Sequence, residues 1–265
     1  MMTLLSTYYV SHGYQRFSLL GKKPYQPVLK EINIHLYPNE SAALLGNSGC
    51  GKSTLARMLC GLEIPKEGEI IFEGRTTKQM NRTQRQAMHR DIQMVLQDSV
   101  SAVNPRKTVA SIIQEPLKYL TSMSKSERMD RTIQLLNQVG LPDSMLNKRP
   151  PQISGGQLQR VCIARALASK PKLIILDEAL SNLDLVLQIK MVDMLKEIQH
   201  QTGIAWLLIT HDIRLAKQFC QRILVMNNGS IVEEADMKAD LCFLHPAAQE
   251  LEDAILPPLP AILTE

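Results

Sequence analysis

Nowhere in the 265 residues do eighteen apolar residues follow one another, which excludes a membrane-spanning helix as the basis of function. The opening stretch MMTLLSTYYVSHG lacks the basic segment and long apolar core of a secretory signal. The expectation is a chain that stays in the cytoplasm unless a partner ties it to a membrane. Cysteine is sparse. Cys50, Cys60, Cys162, Cys220 and Cys242 are scattered, with no CxxC pair and no cysteine and histidine cluster at metal-ligand spacing, so they read as reduced thiols. Charge of one sign is also missing, because 30 basic residues are interspersed with 26 acidic ones and the net charge is only +4. A solvated surface accounts for that excess, and contact with nucleotide or lipid headgroups is compatible with it. The length suits one domain, or one domain carrying a small subdomain.

What is present is a glycine-rich stretch, Gly46, Asn47, Ser48, Gly49, Cys50, Gly51, Lys52 and Ser53, followed by Thr54. It lies between the apolar run Ala42 to Leu45 and a segment, Thr54 to Leu62, with leucines at helical spacing. Strand, loop and helix in that order make a phosphate cradle. Gly46, Gly49 and Gly51 let the backbone turn its amides inward around an anion. The helix N-terminus and the Lys52 ammonium add positive potential. Ser53 can offer its hydroxyl to magnesium. Taken alone, the motif leaves open a glycine-rich turn with a lysine beside it by chance.

Further along, Leu4 to Val10 and Glu31 to Tyr37 predict strands separated by a loop at 21–27, and Gly68 to Gly74 a short strand between turns. Thr76 to Arg90 suggests an exposed helix leading into the strand IQMVLQ at 92–97. Ile112, Ile113, Leu117 and Leu120, then Ile133, Leu135, Leu136 and Val139, mark a helical subdomain over about 98–152, closed by Pro150 and Pro151. Beyond it, apolar strands alternate with helices: a helix over 155–169, KLIILD, a helix over 184–201, IAWLLIT, a helix after Asp212 and RILVMNNGSIV. This predicts an α/β fold with a mostly parallel sheet covered on both faces. On the helix after Asp184, the stripe Leu187, Met191, Met194, Leu195 and Ile198 reads as core.

A second phosphate element, LIILDE, ends a buried strand with two carboxylates at its C-terminal end, where ligands sit in open α/β sheets. Asp177 is placed to hold magnesium and Glu178 to polarise a water attacking a γ-phosphate. By itself it could also be an acidic turn after a strand.

The third element is ISGGQLQR, from Ile153 to Arg160. Here the chain resembles the ATP-binding cassette family, whose signature is LSGGQ. The resemblance implies a P-loop NTPase of the cassette type, with an antiparallel β subdomain and a helical subdomain beside the parallel core. The ATP-binding domain would span 1–233 and a C-terminal tail 234–265. It implies ATP and Mg2+ as cofactors, the ion held by Ser53, Gln97 and Asp177. Gln97 matches the Q-loop glutamine, Ser181 to Asp184 the D-loop, and His211 the switch histidine. Catalysis would fall to Glu178, with Gln97 and His211 reading the γ-phosphate. Ser154, Gly155, Gly156 and Gln157 would contact the ATP of a different subunit. Tyr14 is the candidate for stacking on adenine, in competition with Tyr8, Tyr9 and Phe17. Where the family often has proline and threonine after the catalytic glutamate, Ala179 and Leu180 stand here; neither replacement removes a catalytic group, so hydrolysis is expected to survive.

Only fifty-seven positions separate Gln97 from Ser154, too few for the coiled coil of a chromosome-repair ATPase of this family. Its translation factors carry two cassettes, and one is present here. RDIQMVLQDSVSAVNPRKTV, NKRPPQISGGQLQRVCIARALA and FCQRILVMNNGSIVE are similar to the peptide and nickel importer branch. That implies energising nickel uptake from the cytoplasmic face of the inner membrane, as a peripheral subunit. The partners would be a second, related cassette ATPase in a heterodimer, two membrane permease subunits and, indirectly, a periplasmic substrate-binding protein, with no nucleic acid. Import of di- or oligopeptides or of a chelated metal, and a non-transport regulatory ATPase, are the alternatives. FLHPAAQEL, from Phe243 to Leu251, loosely echoes the tail of this branch. No two of the six histidines occur at helical ligand spacing, so nickel itself is not expected to bind this subunit.

Overall fold

Three runs without a polar interruption, Ser41–Leu45, Leu173–Asp177 and Ala205–Thr210, are buried at every position, which is what parallel strands covered on both faces require. The structure is a computed structural model that describes residues 2–15, 17–18, 21–22, 25–237 and 243–253. The chain opens with β1 (Leu5–Tyr14), the short pair β2 (Phe17–Ser18) and β3 (Gly21–Lys22), and β4 (Gln26–Leu36). β5 (Ser41–Leu45) leads into α1 (Lys52–Leu59), followed by β6 (Glu67–Phe72), β7 (Arg75–Thr76), α2 (Arg82–Asp91) and β8 (Ile92–Val95). α3 (Val109–Leu120) and α4 (Lys125–Gln138) form the helical subdomain. Then come α5 (Gly155–Leu167), β9 (Leu173–Asp177), α6 (Leu185–Thr202), β10 (Ala205–Thr210), α7 (Ile213–Phe219), β11 (Arg222–Asn227), β12 (Ser230–Asp236) and α8 (Pro246–Asp253).

The central sheet has the order β12-β11-β5-β10-β9-β8, parallel except for the edge strand β12. Successive residues of each strand point to opposite faces. Ala43, Leu45, Ile174, Leu176 and Leu208 therefore pack with the helices α3 to α7, whereas Ala42, Leu44, Ile175, Leu207 and Ile209 pack with α1. That second core is closed by the antiparallel sheet β4-β1-β6-β7, through Leu5, Ile32, Ile34 and Phe72. The expected antiparallel subdomain, parallel core and helical subdomain are all present.

Four boundaries differ from the sequence reading. β1 runs on to Tyr14, and β4 begins at Gln26, so part of the expected loop at 21–27 is strand. Pro27 is tolerated there because β4 is the edge of its sheet. The expected helix from Thr76 starts only at Arg82, since Arg75 and Thr76 pair back onto Phe72 and Ile71 as β7, and Asn81 then caps α2. β12 continues to Asp236, and α8 buries Ala248 and Leu251 on the helix-covered core beside Phe243. Glu233 accepts from the Leu244 and His245 amides at 2.8 and 3.0 Å, so the described part of the tail is fastened to the strand. Residues 238–242 and 254–265 of that tail, with Cys242, lie outside the described residues.

α3 and α4 bury Ile112, Ile113, Leu117, Leu135 and Leu136 against Leu158 and Val161 of α5. Two arginines of α5 reinforce this. Arg160 donates to the Val139 carbonyl at 3.0 Å, and Arg165 to the Ala102 carbonyl at 2.7 Å, tying the loop after β8 to α5.

Candidate active site

The parallel strands β5, β9 and β10 end together, because Thr210 pairs with Leu45 and Ile209 with Asp177. Gly46, Glu178 and His211 follow those ends directly, which gathers three distant segments at one edge. Between β5 and α1 the chain turns through a space only glycine fits. A Cβ at Gly46 would lie 2.3 Å from the Met226 carbonyl oxygen, and Gly51 has a φ of 112°. Asn47, Ser48 and Gly49 are exposed along the turn. The Lys52 ammonium folds back into it, donating to the carbonyls of Gly46 (2.7 Å) and Asn47 (3.0 Å). Cys50 is half-buried nearby, its thiol pushed up by that burial, and Thr54 is buried on the first turn of α1.

Ser53 is exposed beside Lys52, and its hydroxyl donates to Asp177 Oδ1 at 3.2 Å. Asp177 is buried. Burial raises its pKa above the ordinary carboxylate value, the neighbouring Glu178 charge adds to the effect, and the Ser53 hydrogen bond only partly opposes it. A hydroxyl and a buried, undercompensated carboxylate are hard oxygen donors of the kind magnesium takes.

Glu178 adopts a φ of 50°, a left-handed conformation that costs a non-glycine residue on the order of 1–3 kcal/mol. Its amide donates to the Ile209 carbonyl at 2.9 Å, and Ala179 and Leu180 behind it are buried in the core. The loop is therefore pinned on both sides of the residue. The replacements after the glutamate act as packing, and the carboxylate stays partly exposed, with Oε1 at 3.9 Å from His211 Nδ1. Gln97 is exposed two residues past β8, whose Val95 pairs with Leu176 of β9.

The signature residues stand at the start of α5. Ser154 Oγ accepts from the Gln157 amide at 3.2 Å, and Gln157 Oε1 accepts from the Ser154 amide at 3.0 Å. Ser154 and Gly155 are exposed, and a Cβ at Gly156 would meet Leu187 of α6 at 2.5 Å. Asp184 caps α6 by accepting from the Leu187 amide at 2.9 Å. Among the described residues, no hydrogen bond or ion pair links Ser154–Gln157 or Asp184 to the phosphate loop. The chain brings together Gly46–Thr54, Asp177, Glu178 and His211, and presents the signature helix elsewhere.

Of the tyrosines, Tyr14 alone is tied to the phosphate helix. Its hydroxyl donates to Glu63 Oε2 at 2.7 Å and accepts from Arg57 Nη2 at 3.1 Å, and the same Nη2 lies 3.5 Å from Thr54 Oγ1. Tyr8 packs edge-on against His35, and Tyr9 is exposed. The Phe17 side chain lies outside the described residues. Arg57 and Glu63 were missed in the sequence reading, and nothing in the spacing of Tyr14, Arg57 and Glu63 could have joined them.

The ABC transporter family matches residues 29–181, which hold the phosphate loop, Gln97, the signature and the paired carboxylates. The chain belongs to the ABC transporter family. It is an ABC ATPase, which binds and hydrolyses ATP. The chain is 54% identical to the nickel import ATP-binding protein NikE of Escherichia coli K12, over 98% of this chain and 97% of that protein, and equally to NikE of Shigella dysenteriae serotype 1. Among solved structures it resembles a dimeric post-hydrolysis state of the ATP-binding cassette MJ0796 bound to ADP and Pi, at 29% identity and a TM-score of 0.79, over 89% of this chain and 100% of that one. It also resembles cbiO1 of Clostridium perfringens, described as part of the ABC transporter complex cbiONQ, at 26% identity and a TM-score of 0.77, over 90% of each chain. Among the described residues, no helix of this ABC ATPase is long and apolar enough to cross a membrane.

Proposed function

We propose that this ABC ATPase energises nickel import, working as one of two cassettes beneath a pair of membrane subunits on the cytoplasmic face of the inner membrane. The observation that carries the cargo is the 54% identity to NikE over nearly the whole chain. ATP enters with its phosphates against the amides of Gly46–Thr54 and the Lys52 ammonium, and its adenine on the Tyr14 face. Ser53, Asp177 and Gln97 hold magnesium, which supplies charge neutralisation on the phosphates when bound. Glu178 takes the proton of the attacking water or orients it, and His211 reads the γ-phosphate.

Support for a shared site comes from what this chain leaves exposed. Ser154 and Gly155 are exposed at the start of α5, and beside them Leu185, Val186 and Ile189 are 63%, 63% and 49% exposed at the start of α6. A second cassette docking there would cover that apolar surface and receive the signature and Asp184. The partner is a related chain, so the assembly is a heterodimer. A substrate-binding protein delivers the metal to the membrane subunits, which carry selectivity.

Uptake of labelled nickel against labelled dipeptide in a deletion strain tests the reading. Restoration of nickel uptake by the wild-type gene, and loss of it with Glu178→Gln while ATP binding persists, is the expected result. Restoration of dipeptide uptake alone rejects the cargo, and equal ATPase rates for both proteins in the assembled complex reject the role of Glu178.

A further inference from the structure

Tyr14, Glu63 and Arg57 form a closed ring of hydrogen bonds. Tyr14 donates to one Glu63 oxygen, Arg57 Nε donates to the other at 2.6 Å, and Arg57 Nη2 donates back to the Tyr14 hydroxyl. The hydroxyl has thus used its donor and one acceptor position in a single geometry. His12 closes the other side, its ring edge-on to Tyr14 at 5.0 Å between centroids and its Nε2 at 3.8 Å from Glu63. Burial works against ionised Glu63, but the Tyr14 and Arg57 hydrogen bonds outweigh it and hold the carboxyl below its usual range. Arg57 sits on α1, one turn past Thr54, so the ring is anchored to the same helix that receives the phosphates.

We propose that Arg57 and Glu63 are positioning residues for the nucleotide base: they hold Tyr14 by its hydroxyl, so that the aromatic face is set relative to the phosphate helix before ATP arrives. This rests on the reading that Tyr14 stacks on adenine. An untethered tyrosine at a strand end samples several rotamers, and ordering it on binding weakens affinity. A tyrosine held in advance has lost that freedom already. The pair acts through Tyr14 and touches neither the base nor the phosphates.

The test is titration calorimetry on the full-length chain with ATP and, separately, with inorganic tripolyphosphate, which lacks a base. Glu63→Ala should raise the Kd for ATP by about three- to ten-fold, the cost of ordering one side chain. Tripolyphosphate binding should be unchanged, and Glu63→Gln, which keeps an acceptor for the hydroxyl, should recover most of the loss. Tyr14→Phe should weaken ATP to a similar degree, and adding Glu63→Ala to it should weaken ATP no further. An equal loss of tripolyphosphate affinity would place the pair in phosphate binding and overturn the proposal. So would full additivity of Glu63→Ala with Tyr14→Phe. Tyr14→Ala separates the two layers: unchanged ATP affinity removes the stacking role and the clamp with it, whereas a loss of about ten-fold or more with no effect of Glu63→Ala removes the clamp alone. If Glu63→Ala does not fold, Arg57→Lys takes its place in the same cycle, with the same outcomes deciding.

Discussion

Replacing Lys52 by alanine removes the one formal charge that the phosphate loop contributes. Lys52 is 5% exposed, and its ammonium donates to two neutral carbonyls of its own loop, those of Gly46 and Asn47 at 2.7 and 3.0 Å. On the proposed mode of ATP binding, those acceptors give way to phosphate oxygens. A bond to a neutral acceptor contributes about 1 kcal/mol net and one to a charged group about 1.5–3. Loss of the side chain should therefore weaken ATP by about 1–4 kcal/mol, roughly 5- to 1,000-fold. Binding should not vanish, because the loop amides and the α1 N-terminus remain. Fold stability should change little, since the variant loses two hydrogen bonds but no longer buries an ammonium. A net change within about 1 kcal/mol corresponds to a melting shift within about 4 °C for a chain of this size. The assay is calorimetric titration with ATP beside thermal melting without nucleotide. A folded Lys52→Ala protein binding ATP within about three-fold of wild type would refute the assignment of this lysine to the phosphates.

Arg222, only 13% exposed, holds Glu40 through two bonds of 2.7 and 3.0 Å and Glu234 at 2.6 Å, and also donates to the His35 carbonyl, so Arg222→Met leaves a mostly shielded carboxylate without its cation. That should cost about 3–5 kcal/mol, or roughly 6–20 °C in melting temperature, with part recovered by adding Glu40→Gln; a drop under about 2 °C would contradict it. Asp177 gives a pH signature. Its folded-state pKa is raised by burial, so its contribution to stability is present below its unfolded pKa and is lost as pH rises through the folded value. Without magnesium, Asp177→Asn should thus melt above wild type at neutral pH, with the difference closing toward pH 4, and added magnesium should stabilise only wild type. Wild type melting higher at neutral pH in the absence of the ion would overturn this.

The parallel core could be read in advance because LIILD and AWLLIT are apolar at every position before their last residue, Asp177 and Thr210, a pattern that buried parallel strands need and amphipathic elements do not show. The phosphate loop was readable for a local reason as well, since Gly46, Gly49 and Gly51 all carry positive φ in the structure. Where the sequence reading failed, the cause was pairing between segments. Pro27 looked like a loop residue because its tolerance depends on β4 being an edge strand, which no local signal states. The Tyr14, Arg57 and Glu63 ring was invisible for the same reason, as it joins the end of β1 to the far side of α1.

Strand register explains how so much of the site could be named without coordinates. Ile209 pairs with Asp177, so the carbonyl of Ile209 is free to receive the Glu178 amide just beyond the strand end. That bond, with Ala179 and Leu180 buried behind it, is what holds Glu178 in the left-handed conformation and aims its carboxylate toward His211. A slip of one residue between β9 and β10 would break this bond. It would also exchange Ile175, which faces α1, with Ile174 and Leu176, which face the other core, and the apolar pattern of both cores resists that. The same burial that makes LIILD recognisable as a strand thus fixes where its two carboxylates emerge, and the pairing of the acid with the histidine follows from packing far from either.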